Sequence, residues 1–170
     1  MVGEIVIRNV HEADAAAIAA LYAHHVIHGT ASYEIEPPSE ADTRAKIRRV
    51  TTPGWPFLVA ELGGELAGYT YATQFRDRPA YRFAAENSIY VRHDLAGRGV
   101  GKALLNALIG ESAAFGFRQL VAVVGGAEPA SIALHVSCGF AEVGRLRQVG
   151  FKHGRWLDTV YLQRELAAPA

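Results

Sequence analysis

The sequence predicts an α/β fold, a single domain over residues 1–170 with a mixed central sheet and helices on both faces. Three observations predict it. Residues 86–91 alternate like a strand, residues 100–108 carry apolar side chains at helical spacing, and residues 120–124 are a valine-rich run. Strand, helix and strand in that order make a right-handed parallel crossover. Two β-rich runs flank the Gly63-Gly64 pair and form an antiparallel hairpin. Finally, 170 residues, 50% hydrophobic and 20% charged, suffice to bury about 70% of the unfolded surface without disulfide or metal staples.

Each element has a local cause. Residues 4–8 read as a first strand and residues 14–27 as an alanine-rich amphipathic helix. A loop at 29–34 and the Pro37-Pro38 pair precede a second helix, which opens on a capping box of Ser39 with Asp42, runs to about Val50 and stops at Pro53-Gly54. Residues 57–62 and 65–75 form the hairpin, and the loop 76–82 leads into the Glu86 strand, which ends in polar Arg92-His93-Asp94. In the next helix Val100, Ala103, Leu104, Ala107 and Leu108 face inward, Asn106 and Glu111 turn away, and Gly116 is the stop. Residues 120–124 read as a strand buried on both faces. Residues 129–138 read as a helix with proline in its first turn, ended by Gly139-Phe140. Residues 141–146 and 156–164 complete the chain as two strands joined across 152–155.

The third helix opens on Gly97-Arg-Gly-Val-Gly-Lys102. Unpaired N–H groups and the helix dipole make such a start a site for phosphate or pyrophosphate. Gly97, Gly99 and Gly101 let the backbone approach an anion, and Arg98 and Lys102 add charge. A Walker loop is excluded, because Ala96 stands where its first glycine belongs and Ala103 where it needs Ser or Thr. A dinucleotide fingerprint fails as well, meeting Lys102 or Leu104 in place of the third glycine.

A strand, a short loop and a phosphate-binding helix in this order resemble the GCN5-related N-acetyltransferase (GNAT) superfamily, whose loop is written Q/R-x-x-G-x-G/A. This chain has Ala96-Gly-Arg-Gly-Val-Gly101, which lacks the leading Gln or Arg and keeps the backbone donors. The element order β-α-α-β-β-β-α-β-α-β-β agrees over nearly the whole chain. Five segments narrow the resemblance to the phosphinothricin and methionine sulfone acetyltransferase family. They are Thr30-Ala-Ser-Tyr-Glu34, Phe75-Arg-Asp-Arg-Pro-Ala-Tyr81, Glu86-Asn-Ser-Ile-Tyr-Val91, Ala130-Ser-Ile-Ala-Leu-His135 with Cys138-Gly-Phe140, and Val149-Gly-Phe-Lys-His-Gly-Arg-Trp156.

The resemblance implies a mostly antiparallel sheet splayed at one parallel strand pair, acetyl-CoA as co-substrate, no metal, and a homodimer. It implies direct transfer to the α-amino group of a small amino-acid analogue such as phosphinothricin, methionine sulfone or methionine sulfoximine. Other amines, a polyamine or a protein N-terminus, and a non-catalytic CoA-binding sensor are the alternatives. Glu86 matches the family's catalytic glutamate and would deprotonate the amine, directly or through water. Ile89, Tyr90 and Val91 would offer backbone groups to the cofactor arm, and Gly97, Arg98, Gly99, Val100, Gly101 and Lys102 would hold its pyrophosphate. His135 stands where many superfamily members carry a thiolate-protonating tyrosine, and reads either as an acid or cofactor contact or as a packed histidine. Ser131 would cap its helix or touch the cofactor, and Glu128 replaces an asparagine that contacts the cofactor arm. The family places substrate contacts at Arg76, Asp77 and Arg78, where two guanidinium forks could hold acid groups, with Tyr81, Asn87 and Ser88 as neighbours. Lys152, His153 and Trp156 either complete a neighbouring subunit's pocket or form a loop with a packed Trp.

Seventeen Lys plus Arg balance seventeen Asp plus Glu, and no long basic run occurs, which argues against nucleic acid. The single cysteine, Cys138, cannot form an internal disulfide and reads as buried. Residues 1–5 show no leader pattern and no apolar run reaches membrane-spanning length, so a cytoplasmic chain without a membrane partner is expected. His24 and His28 share a helix face as zinc ligands can, but without the glutamate of a metalloprotease motif they read as helix surface.

Overall fold

A computed structural model describes residues 3–167. Met1 and Val2, on which the reading of residues 1–5 partly rests, and residues 168–170 of the expected 1–170 domain lie outside the described residues. The described residues form β1 (Ile5–Asn9), α1 (Ala15–His28), α2 (Glu40–Thr51), β2 (Phe57–Leu62), β3 (Glu65–Gln74) and β4 (Ala84–Val91). They continue as α3 (Val100–Phe115), β5 (Gln119–Gly125), α4 (Pro129–Ser137), β6 (Ala141–Lys152) and β7 (Arg155–Glu165). This is the order read from the sequence. Short 3-10 turns at Glu12–Asp14, Pro79–Tyr81 and His93–Leu95, which hydrophobic periodicity does not reveal, lead into α1, β4 and the glycine loop.

Local chemistry sets the helix ends. The Ser39 hydroxyl accepts from the Asp42 N–H at 3.1 Å, and the Asp42 carboxylate accepts from the Ser39 N–H at 3.0 Å, the expected reciprocal cap. Glu128 caps α4 through the Ala130 N–H at 3.3 Å, with Pro129 in the first turn. Helix α3 begins after Gly99, which has no side chain with which to cap it.

The strands make one seven-stranded sheet in the order β1-β2-β3-β4-β5-β7-β6. All its pairs are antiparallel except β4 with β5. On one face Leu104, Leu105 and Leu108 of α3 pack fully buried with Leu120, Val160 and Leu162, each worth about 1.5–3 kcal/mol of burial. On the other, Ile18, Val26, Ile47 and Val50 from α1 and α2 cover Phe57, Val59 and Tyr69. Leu105 lies outside the stripe read from the sequence, while Ala103 and Ala107 are only half-buried, so the inward arc of α3 is rotated toward Leu105.

The parallel pairing is short. Register runs from Ala84 opposite Gln119 to Asn87 opposite Ala122, after which β4 continues to Val91 and β5 to Gly125 without pairing. The sheet is therefore splayed at its parallel pair. The reading of β5 as buried on both faces is corrected as well: its residues alternate between buried and half-buried up to Val124, so only the face carrying Leu120, Ala122 and Val124 lies in the core. Strand β6 extends beyond residue 146 to Lys152, with register shifts between Glu142 and Gly144 and between Leu146 and Gly150, irregularities that interrupt the alternation on which a strand is read. No described helix is long and apolar enough to cross a membrane.

Candidate functional site

Two clefts flank the split. One, of about 480 Å³, is bounded by Glu86 and Ser88 of β4, Tyr71 of β3, Tyr22 of α1, Lys46 of α2 and residues 31–34. The other, of about 700 Å³, is bounded by Val91, the glycine loop with Lys102, and Ala130, Ser131 and Leu134 of α4. Ala31, Ile89, Tyr90 and Ser131 line both, so the clefts meet through the gap in the sheet.

Strand β4 supplies a free edge to that gap. Opposite β3, Ile89, Tyr90 and Val91 pair with Thr70, Tyr69 and Gly68, and the Tyr90 carbonyl turns to that side, 2.9 Å from where a Cβ on Gly68 would stand. The two-residue alternation of a strand then aims the N–H and C=O of Ile89 and Val91 into the gap, where β5 no longer pairs. His25 Nε2 lies 2.8 Å from the Val91 carbonyl, which leaves the two N–H groups and the Ile89 carbonyl for a ligand.

Below this edge the glycine loop forms an anion cradle. Gly97 and Gly99 have φ of +76° and +85°, and a Cβ at either would meet open space, so both residues serve left-handed backbone rather than packing. The Ala103 N–H is the first of α3 to bond back, to the Gly99 carbonyl at 3.0 Å, so the N–H groups of Val100, Gly101 and Lys102 stand uncapped. Val100 is 1% exposed and its side chain joins the core, leaving only its N–H to a ligand. Gly101 differs from the other two glycines. A Cβ there would stand 3.2 Å from Leu134 Cδ2, so its smallness also seats α3 against α4. Arg98 is exposed and does not line the cleft, whereas Lys102 does. Uncapped N–H groups, a lysine and an unpaired strand edge fit the pyrophosphate and amide-bearing arm of acetyl-CoA.

Glu86 projects into the first cleft from the last stretch of β4 that still pairs on both sides, with Thr73 and Val121. Burial raises its carboxyl pKa above the ordinary range, against the opposing pull of Arg76, whose Nη1 lies 3.5 Å from Oε2. The Arg76 guanidinium also stacks 4.0 Å from the Phe75 ring centre. Ser88 lines the cleft beside Glu86. Asp77, Arg78 and Tyr81 are exposed in the loop beyond Arg76 and do not line either cleft.

Asn87, on the opposite face of β4, is buried against His135 at 3.0 Å. His135 Nδ1 lies 2.7 Å from the Ser131 carbonyl, and burial lowers the imidazole pKa. A carbonyl only accepts, so Nδ1 carries the proton and the neutral ring accepts from Asn87 at Nε2. Both nitrogens are thus occupied. Glu128 lines the cofactor-side cleft while its carboxylate caps α4.

The sequence reading missed the wall formed by residues 31–34. Tyr33 is its anchor: the hydroxyl donates to the Asp158 carbonyl at 2.9 Å, lies 2.7 Å from Thr159 Oγ1, and accepts from the Gly126 N–H at 3.1 Å. The Ser32 hydroxyl meets the Tyr22 hydroxyl at 2.7 Å, and burial pushes that phenol up to about 12. Lys152 is 4% exposed and its ammonium donates to the Ser32 carbonyl at 2.8 Å, so it props this wall from within its own chain. His153 lies 3.3 Å from the Gly29 carbonyl, and Trp156 stays 62% exposed. The segment Thr30-Ala-Ser-Tyr-Glu34 carried the family resemblance, but single loop residues gave no periodic signal. Lys46 did leave one, since it falls on the inward stripe of Thr43, Ile47 and Val50.

Outside the clefts, Cys138 is free and buried. The His24 ring, itself outside both clefts, stacks at 3.8 Å, 12° from parallel, on His93, which lines the cofactor-side cleft, and lies 4.6 Å from the His28 ring.

Residues 7–161 match the family model described as "Acetyltransferase (GNAT) domain". The chain is 50% identical over 163 residues to the phosphinothricin N-acetyltransferase of Alcaligenes faecalis, covering 95% of this chain and 83% of the relative. It is 36% identical over 166 residues to the L-methionine sulfoximine/L-methionine sulfone acetyltransferase of Salmonella typhimurium LT2, covering 96% and 97%. Among solved structures, a GNAT superfamily phosphinothricin acetyltransferase from Sinorhizobium meliloti in complex with AcCoA superposes with a TM-score of 0.94 at 47% identity, covering 96% of this chain and 89% of that one.

Proposed function

This chain belongs to the GNAT acetyltransferase family and is an acetyl-CoA-dependent N-acetyltransferase, and from that premise we propose direct transfer to the α-amino group of a small amino-acid analogue of the phosphinothricin, methionine sulfone or methionine sulfoximine type. The observation that carries this reading is the position of Glu86 on one cleft beside the gap through which the other, cofactor-side cleft opens. The relatives' named substrates support the acceptor class.

Bound acetyl-CoA supplies an activated acetyl thioester. The uncapped first turn of α3, with Lys102, holds the pyrophosphate. The N–H groups of Ile89 and Val91 orient the arm and draw charge from the carbonyl under attack. Glu86 takes the proton of the acceptor's ammonium, a transfer helped by the raised pKa that burial imposes. The neutral amine would then form the C–N bond as the thioester C–S bond breaks, and the surplus proton of the nitrogen would leave with the thiolate as the CoA thiol. Ser88 and Arg76 flank the acceptor beside it. His135, neutral and held at both nitrogens, positions the α4 side of the gap. Arg78, Asp77 and Tyr81, exposed on the loop beyond Arg76 and lining neither cleft, are proposed only as outer contacts of the bound acceptor.

We also propose a homodimer. Val143, Leu146, Val149, Phe151 and Trp156 stay exposed on the β6–β7 hairpin, an apolar run at the sheet edge that a second copy would cover. Sedimentation velocity measures this directly: a dimer is expected, and a monomer at micromolar concentration overturns it.

The function is tested by following thiol release from acetyl-CoA with phosphinothricin, methionine sulfone, methionine sulfoximine, ordinary amino acids, spermidine and a peptide, for wild type and Glu86→Gln. Selective turnover of the first three, lost in Glu86→Gln, is expected. Turnover confined to spermidine or the peptide overturns the acceptor class, and acetyl-CoA binding without turnover of any acceptor overturns catalysis.

A further inference from the structure

The acceptor cleft holds one cation, Lys46, that forms no ion pair among the described residues. Lys46 comes from α2, between Thr43 and Ile47 on the buried side of that helix, and lines the cleft with Glu86. Its Nζ lies 5.3 Å from the Tyr22 ring centre and 5.7 Å from that of Tyr71. None of the ion pairs among the described residues includes it.

Aromatic faces attract an ammonium through their quadrupoles without supplying the lone-pair oxygen acceptors that an ammonium's N–H groups prefer. A half-buried Lys46 held this way keeps N–H donors for a ligand. The charged side chains lining the cleft are then Glu34, Lys46 and Glu86, with Arg76 beside Glu86 at its outer end. Tyr71 pairs across the sheet with Ser88, two residues from Glu86 on the same face of β4, so the lysine over Tyr71 sits one side-chain step along the cleft from the carboxylate. A carboxylate and an ammonium so arranged match a small molecule with an amine at one end and an oxyanion at the other.

We propose that Lys46 is a specificity-determining residue, binding the oxyanion of the acceptor while Glu86 takes its amine. The assignment rests on the amino-acid acceptor class proposed above. It predicts selection against polyamines, whose second group would face Lys46 with like charge. The oxygen partner is either the α-carboxylate or the side-chain terminus, which is anionic in a phosphinate and a neutral, polar acceptor in a sulfone.

Steady-state kinetics on the 170-residue chain distinguish these. Wild type, Lys46→Met and Lys46→Arg are assayed with acetyl-CoA against phosphinothricin, methionine, methionine sulfone and the α-carboxamide of methionine sulfone. Lys46→Met is expected to raise the acceptor KM about tenfold to hundredfold, the range of one hydrogen bond to a charged group, with kcat and the acetyl-CoA KM within about twofold. Lys46→Arg should recover most of the loss. If the carboxylate is the partner, the wild-type preference for methionine sulfone over its carboxamide collapses in Lys46→Met. If the side-chain oxygens are the partner, that preference survives, and the preference for sulfone over methionine collapses instead. Unchanged acceptor KM and both preferences intact in a folded Lys46→Met overturn the proposal. Wild-type turnover of spermidine alone overturns the acceptor class and this proposal together, and is told apart because it appears before any residue is changed.

Discussion

Asn87 donates from Nδ2 to His135 Nε2 at 3.0 Å, a contact that uses the ring's one lone pair and suits the neutral imidazole that burial favours. With Nδ1–H committed to the Ser131 carbonyl at 2.7 Å, the ring has no need of a second proton. Asn87→Asp exchanges a donor for a carboxylate that only accepts, so the ring must take a proton at Nε2. The imidazole pKa, held below the usual value of about 6.5 by burial, is expected to rise above it, read by NMR titration. The sign for stability follows. A depressed folded pKa means that His135 costs nothing above about pH 6.5 and withdraws stability as the pH falls toward its folded value, because the unfolded chain protonates first. A wild-type melting temperature that does not fall between about pH 7 and pH 5, or an unshifted imidazole in Asn87→Asp, would contradict the assignment.

Glu86 has the opposite sign. Its folded pKa is raised, so its contribution is greatest below about pH 4.3 and declines as the pH rises through the folded value. Glu86→Gln is therefore expected to lose about 10²–10⁴-fold in kcat while melting no lower than wild type at pH 8. The acid limb of kcat/KM should lie above the ordinary carboxylate range. Arg76→Ala should move that limb higher still, since Arg76 pulls the pKa down.

At the cradle, Gly99→Ala puts a methyl group into open space at φ +85°. The cost is conformational, about 1–2 kcal/mol, and the acetyl-CoA KM should rise while the acceptor KM does not. Gly101→Val is expected to act differently, through a clash with Leu134, and to appear first as a lower melting temperature. Equal effects of the two substitutions on both measurements would count against separate roles for these glycines.

Tyr33→Phe removes the hydroxyl that ties residues 31–34 to the ends of β5 and β7. A loss of about 1 kcal/mol is expected, with higher KM for both substrates, because Ala31 borders both clefts. Gly150→Ala should reproduce the kinetic effect from the other side, since its Cβ would stand 2.7 Å from the Tyr33 ring. Unchanged kinetics in both variants would show that the wall does not need this anchor.

The element order, the parallel crossover and the glycine-loop helix were legible in the sequence because each rests on short-range periodicity or on a cap such as Ser39 with Asp42. Glu86 was singled out by its match to the family's catalytic glutamate and the loop glycines by their place at a helix start, and each lines one of the two clefts. What stayed hidden depends on distant parts of the chain. Tyr33 matters through Gly126 and Asp158, and Lys152 through Ser32, contacts that span more than ninety residues. The arginine cluster looked like one site because its members are adjacent in sequence, yet among the described residues only Arg76 meets Glu86, while Arg78 is exposed and lines neither cleft.

The brevity of the β4–β5 pairing has a mechanical consequence. Strands β1 to β4 and strands β5 to β7 are two leaves joined along a seam of four residues, from Ala84 to Asn87. A ligand that fills the gap beyond Asn87 completes the seam, so binding and cohesion between the leaves are linked. Saturation at a hundredfold excess over Kd adds about 2.7 kcal/mol to the folded state. That gain should be concentrated in the hydrogen exchange of the Ile89 and Val91 amides, turning the most weakly zipped part of the sheet into a slowly exchanging one.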